Sequence, residues 1–179
     1  TFPHDLLSAY ASLFVHCWDS YAVQQQDGSY RRAHEPLSFQ RLADHLGGQY
    51  TLGTYLLDAA STCLFAVFDD DRPDGLSRLA HLAADLARDE GIATVLEMSR
   101  RGGHLWVHLA GPTPASLARA WLLPYAQRVG CEFYPKQDHL NMHGPGSLIR
   151  LPLGRHRQTG VWYPFVFCDN SSGQLVPVG

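Results

Sequence analysis

The sequence predicts an α+β fold in which helices pack on a mostly antiparallel sheet. Some segments have apolar residues at helical spacing, short apolar runs lie between them, and hairpin turns join several of those runs. The chain has 179 residues, 45% of them hydrophobic and 17% charged. That composition fits a single globular domain and excludes intrinsic disorder, collagen and coiled coil.

Four helices are predicted. Apolar side chains recur every three or four residues in the first and third. The second is expected to begin near Ser38, a candidate N-cap, and to end at Gly47, while Pro112 and Pro114 introduce the fourth. The predicted helices cover residues 5–18, 37–46, 76–88 and 115–128.

Nine strands are predicted from short apolar runs that end at turn residues. Asp27-Gly28 lies between two extended runs and indicates a hairpin. The predicted strands cover residues 21–25, 30–34, 50–57, 62–68, 93–98, 105–109, 131–134, 147–151 and 161–168. Residues 169–179 are rich in Ser, Gly and Pro, which indicates an exit linker.

The sequence predicts neither a membrane span nor a signal peptide. The longest unbroken apolar run, 63–68, is far shorter than the roughly 20 residues that a span needs. Four scattered cysteines without a C-x-x-C pair suit a reducing cytosol, so we expect a cytoplasmic protein. Because the chain lacks an initiator Met, we also expect a fragment of a longer protein.

Charge is distributed unevenly along the chain. Residues 1–94 contain 6 Lys/Arg and 13 Asp/Glu, a net −7, whereas residues 95–160 contain 8 and 3, a net +5. Five of the ten histidines lie in the basic segment. An acidic cluster facing a basic, His-rich segment suits metal ions that act on phosphates, but random asymmetry on a solvated surface would give the same pattern.

The acidic run after the fourth predicted strand is a candidate metal site. Side chains alternate along a strand, so Asp69 and Asp71 should share a face while Asp70 points away. Two carboxylates at the mouth of an apolar strand are suitable ligands for Mg²⁺, with a phosphate completing the shell. The alternative is a polar turn that simply ends the strand.

The segment 99–104, Ser-Arg-Arg-Gly-Gly-His, is a candidate triphosphate cradle. A glycine-containing turn between two strands exposes backbone N–H groups that bind anions. Ser99, Arg101 and His104 add hydrogen-bond donors or positive charge. The alternative is a hairpin with an arginine-rich tip.

Two later segments add a third acid and a basic loop. Glu132 lies in a short apolar strand, where an unpaired carboxylate is costly, so either a metal or a basic partner would explain it. An edge strand with Glu132 facing water is the alternative. Arg150 lies within an apolar strand and is followed by Arg155, His156 and Arg157. Arginine forks suit phosphate oxygens, unless Arg150 only extends from a sheet edge into water.

In this order the four segments resemble the archaeo-eukaryotic primase–polymerase superfamily. Its pattern is a strand ending in D-x-D, an S-x-G-x-H-like turn, a third acid and a segment bearing Arg or Lys. The sequences at 134–137 (Tyr-Pro-Lys-Gln) and 146–153 are similar to primase domains of bacterial conflict and CRISPR-associated systems. The resemblance covers roughly residues 5–168, and its Ser-to-His turn is one residue longer than the simplest form of the motif.

The resemblance implies an RNA-recognition-motif-like antiparallel sheet as catalytic core, over 61–168, preceded by a smaller N-terminal α/β unit over 1–60. Asp69, Asp71 and Glu132 would be catalytic and would hold two Mg²⁺ or Mn²⁺ ions, with Asp138 as the alternative third acid. The residues implied to bind the nucleotide are Ser99, Arg101, Gly103, His104, Arg150 and His156.

The implied activity is that of a DNA primase or DNA-directed polymerase. It would transfer nucleotides from NTPs or dNTPs onto a primer or an initiating nucleotide on a single-stranded DNA template. Fused or associated helicase, nuclease or CRISPR modules would lie outside this segment. Two alternatives remain open: a metal-dependent nuclease or nickase, with His104 and His108 as a candidate metal pair, and a catalytically inactive nucleic-acid-binding module. Trp106 is expected in the core rather than as a base-stacking platform.

Overall fold

The computed structural model describes residues 2–141, 144–168 and 174–178. These residues form four helices and ten strands, and the strands make up two antiparallel sheets. The helices are α1 (His4–Phe14), α2 (Phe39–Leu46), α3 (Gly75–Glu90) and α4 (Ala115–Val129). The strands are β1 (Tyr21–Gln24), β2 (Tyr30–Arg32), β3 (Leu52–Tyr55), β4 (Thr62–Asp70), β5 (Thr94–Met98), β6 (Gly103–Pro114), β7 (Glu132–Tyr134), β8 (Leu148–Arg150), β9 (Phe165–Cys168) and β10 (Leu175–Pro177).

The first sheet has the strand order β2-β1-β3-β8. β1 and β2 form the predicted hairpin, in which Val23 pairs with Arg31. β8 comes from much later in the chain and pairs with β3, so that Arg150 lies opposite Gly53. The first sheet therefore contains strands from both the predicted N-terminal unit, 1–60, and the predicted core, 61–168.

The second sheet has the order β10-β9-β5-β6-β4-β7. Four of its six strands, adjacent in the order β5-β6-β4-β7, come from a continuous β4-α3-β5-β6-α4-β7 unit, which is the split βαββαβ arrangement. This confirms the expected α+β fold with an RNA-recognition-motif-like antiparallel sheet. β10 adds an edge strand within the predicted exit linker, because Leu175 pairs with Cys168. The remaining positions of that predicted linker, 169–173 and 179, lie outside the described residues.

Apolar side chains cover both faces of the second sheet. Alternation along β4 sends Phe65 and Val67 into one core with α1 and the first sheet, and sends Ala66 and Phe68 into another with α3 and α4. Trp106 belongs to the first of these cores and is fully buried, as predicted. Two packed faces fix the register of β4, and with it the position of the acidic residues at its end.

Element boundaries differ from the predictions where tertiary contacts intervene. α1 ends at Phe14 rather than at residue 18, because the buried Val15 is already extended, with φ −123° and ψ 118°. β6 runs on to Pro114, and the β4–β6 pairing continues past an irregularity between Cys63 and Phe65. The Ser38 N-cap is confirmed, since its hydroxyl accepts the backbone N–H of Arg41 at 3.2 Å. In the part of the chain that the structure describes, no helix combines the length and apolar character needed to cross a bilayer.

Candidate functional site

Four ionisable side chains form one row across the second sheet. Asp69 on β4 is paired with Glu132 on β7 and with His104 on β6, and His104 is paired with Glu97 on β5. Residues directly opposite each other on antiparallel strands project from the same face. The register therefore brings these four positions, distant in sequence, into one line.

Two neighbouring cavities, of about 330 and 340 Å³, open onto this row. Asp69, Asp71, Arg101 and Tyr134 line both of them. Glu132 and Lys136 complete one cavity. The other extends to the first sheet, and its lining there includes Gln24, Tyr30, Arg150 and His156. The cleft thus has a carboxylate-bearing wall from the second sheet and a basic wall from the first sheet and the loop after β8.

Asp69 is the most deeply placed of the predicted metal ligands. Its Oδ1 is buried without a hydrogen-bond partner and lies 3.8 Å from Nε2 of His104. Burial raises the pKa of the Asp69 carboxyl, and the charges of Asp71 and Glu132 raise it further against the opposing effect of His104. An orphaned carboxylate oxygen beside two further carboxylates suits a hard cation.

Asp71 and Glu132 both have basic partners. Asp71 forms an ion pair with Arg101, and Glu132 pairs with Lys136 at 2.7 Å and accepts the Tyr134 hydroxyl at 3.0 Å. The Lys136 hydrogen bond is the main reason why the pKa of Glu132 is lowered. β7 is an edge strand of the second sheet and the Glu132 side chain is 61% exposed, so the structure shows the edge-strand alternative, with Lys136 as a basic partner at the surface. Both carboxylates are thus held in ion pairs. In residues 2–141, 144–168 and 174–178, no three His, Cys, Asp or Glu side chains are close enough together to form a metal site without rearrangement.

Asp70 points away from the row, as the strand alternation predicts. It is buried and binds Arg72, with Nε of Arg72 2.7 Å from its Oδ1. The backbone of Asp70 also fixes the neighbouring turn, because a Cβ on Gly102 would overlap the Asp70 carbonyl oxygen. Asp70 therefore helps to place the 99–102 turn at the end of β4.

The 99–102 turn is closed by Ser99. Its backbone N–H donates to the Gly102 carbonyl at 2.9 Å, and its hydroxyl accepts the Gly102 N–H at 3.1 Å. Ser99 and Arg101 line, with His104, the cavity that extends to the first sheet. Gly103 lines neither cavity. It packs against α3 instead, where an added Cβ would lie 2.8 Å from Cδ1 of Leu76.

Glu97 lies at the centre of the site and is not among the residues predicted from the sequence. The carboxylate is fully buried, lies 3.0 Å from Nδ1 of His104, accepts Trp106 Nε1–H at 3.3 Å and forms an ion pair with Arg150. Burial raises the pKa of Glu97, but Arg150 and His104 outweigh this effect and hold it below its usual range. The signal was a carboxylate within an apolar strand, the same signal that singled out Glu132.

The basic wall is held in place by the loop after β8. The carbonyl of Pro152 accepts hydrogen bonds from the Tyr10 hydroxyl at 2.7 Å and from His45 Nε2 at 3.0 Å. Arg150, the last residue of β8, is buried against Glu97 rather than extended into water. His156, further along the loop, is also buried and lines the cavity that extends to the first sheet.

Two alternative site residues lie elsewhere. Asp138 forms an ion pair with Arg119 of α4, with 2.7 Å between Oδ1 and Nε, and lines neither cavity. His108 is bonded through Nε2 to the carbonyl of Leu13 at 3.0 Å, away from His104. Gln24 and Tyr30 do line the cleft, and sequence reasoning missed them because a hairpin signal says nothing about what its strands face.

Comparisons with solved structures found primase and polymerase domains of low sequence identity. The catalytic domain of primase RepB' in complex with initiator DNA is 14% identical, with a TM-score of 0.49, over 89% of this chain and 82% of that chain. A second structure, of primase RepB', is 15% identical with a TM-score of 0.49, over 96% of this chain and 58% of that chain. The polymerase domain of Mycobacterium tuberculosis Ligase D in complex with DNA is 14% identical, with a TM-score of 0.43, over 90% of this chain and 74% of that one.

No curated protein matches the sequence. The family model described as the TOTE conflict system, Archaeo-Eukaryotic Primase domain, matches residues 6–174. That range contains every member of the ionisable row and both walls of the cleft. The chain belongs to the archaeo-eukaryotic primase domain family of TOTE conflict systems.

Proposed function

We propose that this domain is a primase–polymerase that transfers nucleotides from nucleoside triphosphates onto a primer or initiating nucleotide on single-stranded DNA. The observation that supports this most is that carboxylates and nitrogen donors lie on opposite walls of one cleft. Asp69 and Asp71 lie on one wall, and Arg150 and His156 lie on the other. A polyphosphate with bound cations is complementary to both walls at once.

Asp69, Asp71 and Glu132 are the residues that would hold Mg²⁺ or Mn²⁺ in a two-metal site. The buried, unpartnered Oδ1 of Asp69 supports this assignment, because hard cations take carboxylate oxygens as ligands. When bound, such ions lower the pKa of an attacking hydroxyl and stabilise charge on the leaving pyrophosphate. Arg101 and Lys136 form ion pairs with Asp71 and Glu132, so each cation would compete with one of these side chains.

Ser99, Arg101 and His104 would contact the triphosphate from the turn that joins β5 and β6. Ser99 contributes mainly by closing the turn, which orients the backbone N–H groups of its tip. Glu97 orients His104 through Nδ1, which leaves Nε2 on the side of Asp69. Gly103 would act indirectly, by allowing α3 to pack beneath the turn.

The basic loop would follow the DNA backbone. Arg155 and Arg157 line a neighbouring cavity that also includes His156, and the exposed Trp162 lies under the Arg155 guanidinium, 5.4 Å from ring centroid to Cζ. Arginine and exposed aromatic side chains together suit single-stranded nucleic acid, which offers phosphates and base faces.

The test is primer extension on single-stranded DNA with labelled nucleotides and Mg²⁺ or Mn²⁺. Asp69→Asn and Asp71→Asn keep side-chain size and remove the negative charge. Asp85→Asn, on the exposed side of α3, is the matched control. We expect products longer than the primer with wild type and Asp85→Asn, and at least a hundredfold slower extension with the two cleft variants.

Two results would contradict the proposal. Products shorter than the substrate, lost in the same variants, would assign the carboxylates to a nuclease. DNA binding without any metal-dependent product or nucleotide binding would indicate an inactive binding module.

A further inference from the structure

One of the two cavities at the carboxylate row lies towards the edge strand β7. It has a volume of about 340 Å³, and none of its described lining residues belongs to the first sheet: Asp69, Asp71, Arg101, Glu132, Tyr134 and Lys136. The proposed function places the triphosphate in the other cavity, which extends to the first sheet. The Asp69 and Asp71 carboxylates therefore face two cavities, of which the triphosphate needs only one.

Nucleotide transfer brings two substrates to the same carboxylates. The 3′-oxygen of the acceptor forms a bond to the α-phosphorus, the bond from that phosphorus to the pyrophosphate oxygen breaks with its electron pair, and the hydroxyl proton passes to water. The attacking and leaving oxygens lie roughly in line on opposite sides of the phosphorus. Because the basic wall attracts pyrophosphate towards the first sheet, the acceptor must approach from the other side, where the β7 cavity lies.

The β7 cavity holds a cation that can bind an acceptor phosphate. Lys136 is the only lysine in the chain, and its Nζ lies 2.7 Å from Glu132 Oε2 and 4.7 Å from the centroid of the Tyr134 ring. The Lys136 side chain is 53% exposed, so its ammonium can move without leaving a buried charge unpaired. When Glu132 ligates a metal ion it releases this ammonium, and the flexible four-carbon stem lets the ammonium turn to a phosphate nearby.

The backbone of Lys136 is anchored to the start of β8. Its N–H donates to Ser147 Oγ at 2.8 Å, and the buried Ser147 hydroxyl donates to Gln137 Oε1 at 2.6 Å. Gly146 has a φ of +83°, and a Cβ there would overlap the Gln137 amide. These contacts fix the position from which the lysine side chain extends while leaving its ammonium at the cavity.

We propose that the β7 cavity is the acceptor subsite, in which Lys136 binds the last phosphodiester of the primer strand. The inference rests on the proposed function. Tyr134 lines both cavities, so its ring lies between the primer end and the incoming nucleotide. The subsite gives the domain a reason to bind a primed template more tightly than the same strand without a primer.

The first test compares binding of a primed and an unprimed fluorescent template by anisotropy, with Mg²⁺ and a primer that lacks its 3′-hydroxyl. Lys136→Met keeps the aliphatic stem and removes the charge. We expect about fivefold weaker binding of the primed template, a log–log salt slope less steep by about 0.9, and less than about a twofold change for the unprimed strand. Lys136→Arg keeps the charge and should stay close to wild type. Arg88→Met, an exposed control on α3, should change neither affinity.

A second readout uses the fact that the chain has a single lysine. A primer that ends in a periodate-oxidised ribonucleotide carries two aldehydes at its 3′ end. The Lys136 amine forms an imine with one aldehyde and releases water, and added cyanoborohydride reduces the imine to a stable amine. We expect this crosslink in wild type and only the background from the chain's amino terminus in Lys136→Met. A thermal melt of each variant shows that the fold is intact.

The outcomes separate this inference from the function on which it rests. If wild type neither binds nucleoside triphosphate nor extends a primer, the proposed function fails. Should wild type extend primers while Lys136→Met keeps the full affinity and salt slope for primed template, or crosslinks equally, the subsite is wrong and the proposed function stands. An equal loss of affinity for unprimed template or for dATP in Lys136→Met would place the ammonium against the template or the incoming nucleotide, and would overturn the assignment to the primer.

Discussion

Glu97 and Arg150 form a buried ion pair that joins the two sheets. Glu97 belongs to β5 of the second sheet and Arg150 to β8 of the first, and their side chains are 0% and 7% exposed. The Glu97 carboxylate also bonds His104, on the opposite wall of the cleft from Arg150. This contact therefore fixes the two walls relative to each other as well as stabilising the fold.

Removing Glu97 should be far more costly than removing an exposed acid. Glu97→Ala leaves the Arg150 charge buried and unpaired, so we expect the free energy of unfolding to fall by about 3 kcal/mol or more. Urea denaturation measures this. Asp85→Ala, which breaks exposed pairs with Arg88 and Arg128, should cost less than about 1 kcal/mol. Similar losses in the two variants would mean that the Glu97–Arg150 pair does not hold the sheets together.

His45 should make stability depend on pH. Burial lowers its pKa to about 4, from an ordinary value of about 6.5. Between these pH values His45 is protonated in the unfolded chain but neutral in the folded chain. This residue therefore costs no stability above about pH 6.5, and it lowers the free energy of unfolding as the pH falls towards 4. From pH 7 to pH 5 this effect lowers the free energy of unfolding by about 2 kcal/mol.

Unfolding free energies of wild type and His45→Gln at pH 7 and pH 5 measure this contribution. The variant should lose less stability on acidification, by about the 2 kcal/mol derived above. His81→Gln, at an exposed position on α3, should keep the wild-type response. An unchanged slope in His45→Gln would show that other groups cause the acid sensitivity.

Gly102 should tolerate no side chain. A Cβ there would overlap the carbonyl oxygen of Asp70, so Gly102→Ala must displace the 99–102 turn from the end of β4. We expect at least a tenfold loss of extension activity and a loss of about 1–3 kcal/mol in stability. Gly111→Ala is the matched control, because nothing lies within 4 Å of a Cβ at that position. Equal behaviour of the two variants would contradict the close approach of the turn to β4.

Arg101 should oppose metal binding in the nucleotide-free protein. It forms an ion pair with Asp71, so Arg101→Met removes a competing cation. We expect Mn²⁺ to bind a few-fold more tightly and nucleoside triphosphate to bind more weakly, with the modest size set by solvent screening of this exposed pair. Electron paramagnetic resonance of free Mn²⁺ measures the first effect. Arg128→Met, a surface control on α4, should change neither affinity. Weaker Mn²⁺ binding in Arg101→Met would contradict the competition.

Local patterns predicted the elements that carry the carboxylates. The apolar run that precedes Asp69 defines a strand, and strand alternation separates Asp69 and Asp71 from Asp70 without reference to the rest of the chain. The order of the motifs also indicated the family. Local patterns did not predict the role of Glu97. Its partner, Arg150, lies 53 positions later in the chain, and nothing in the five-residue strand that contains Glu97 indicates that this arginine pairs with its carboxylate.

The α+β class, the βαββαβ order and the set of acidic and basic residues available for chemistry could be predicted from the sequence, because these depend on short-range periodicity and residue type. Which of those residues meet depends on the tertiary structure. The pairing of β8 with β3 brings Arg150 to Glu97, and the β4–β6 and β4–β7 registers place Asp69 between His104 and Glu132. Such contacts form when the two sheets pack together. The free energy that favours them comes from burial of the whole core, so the residues adjacent in sequence do not indicate them.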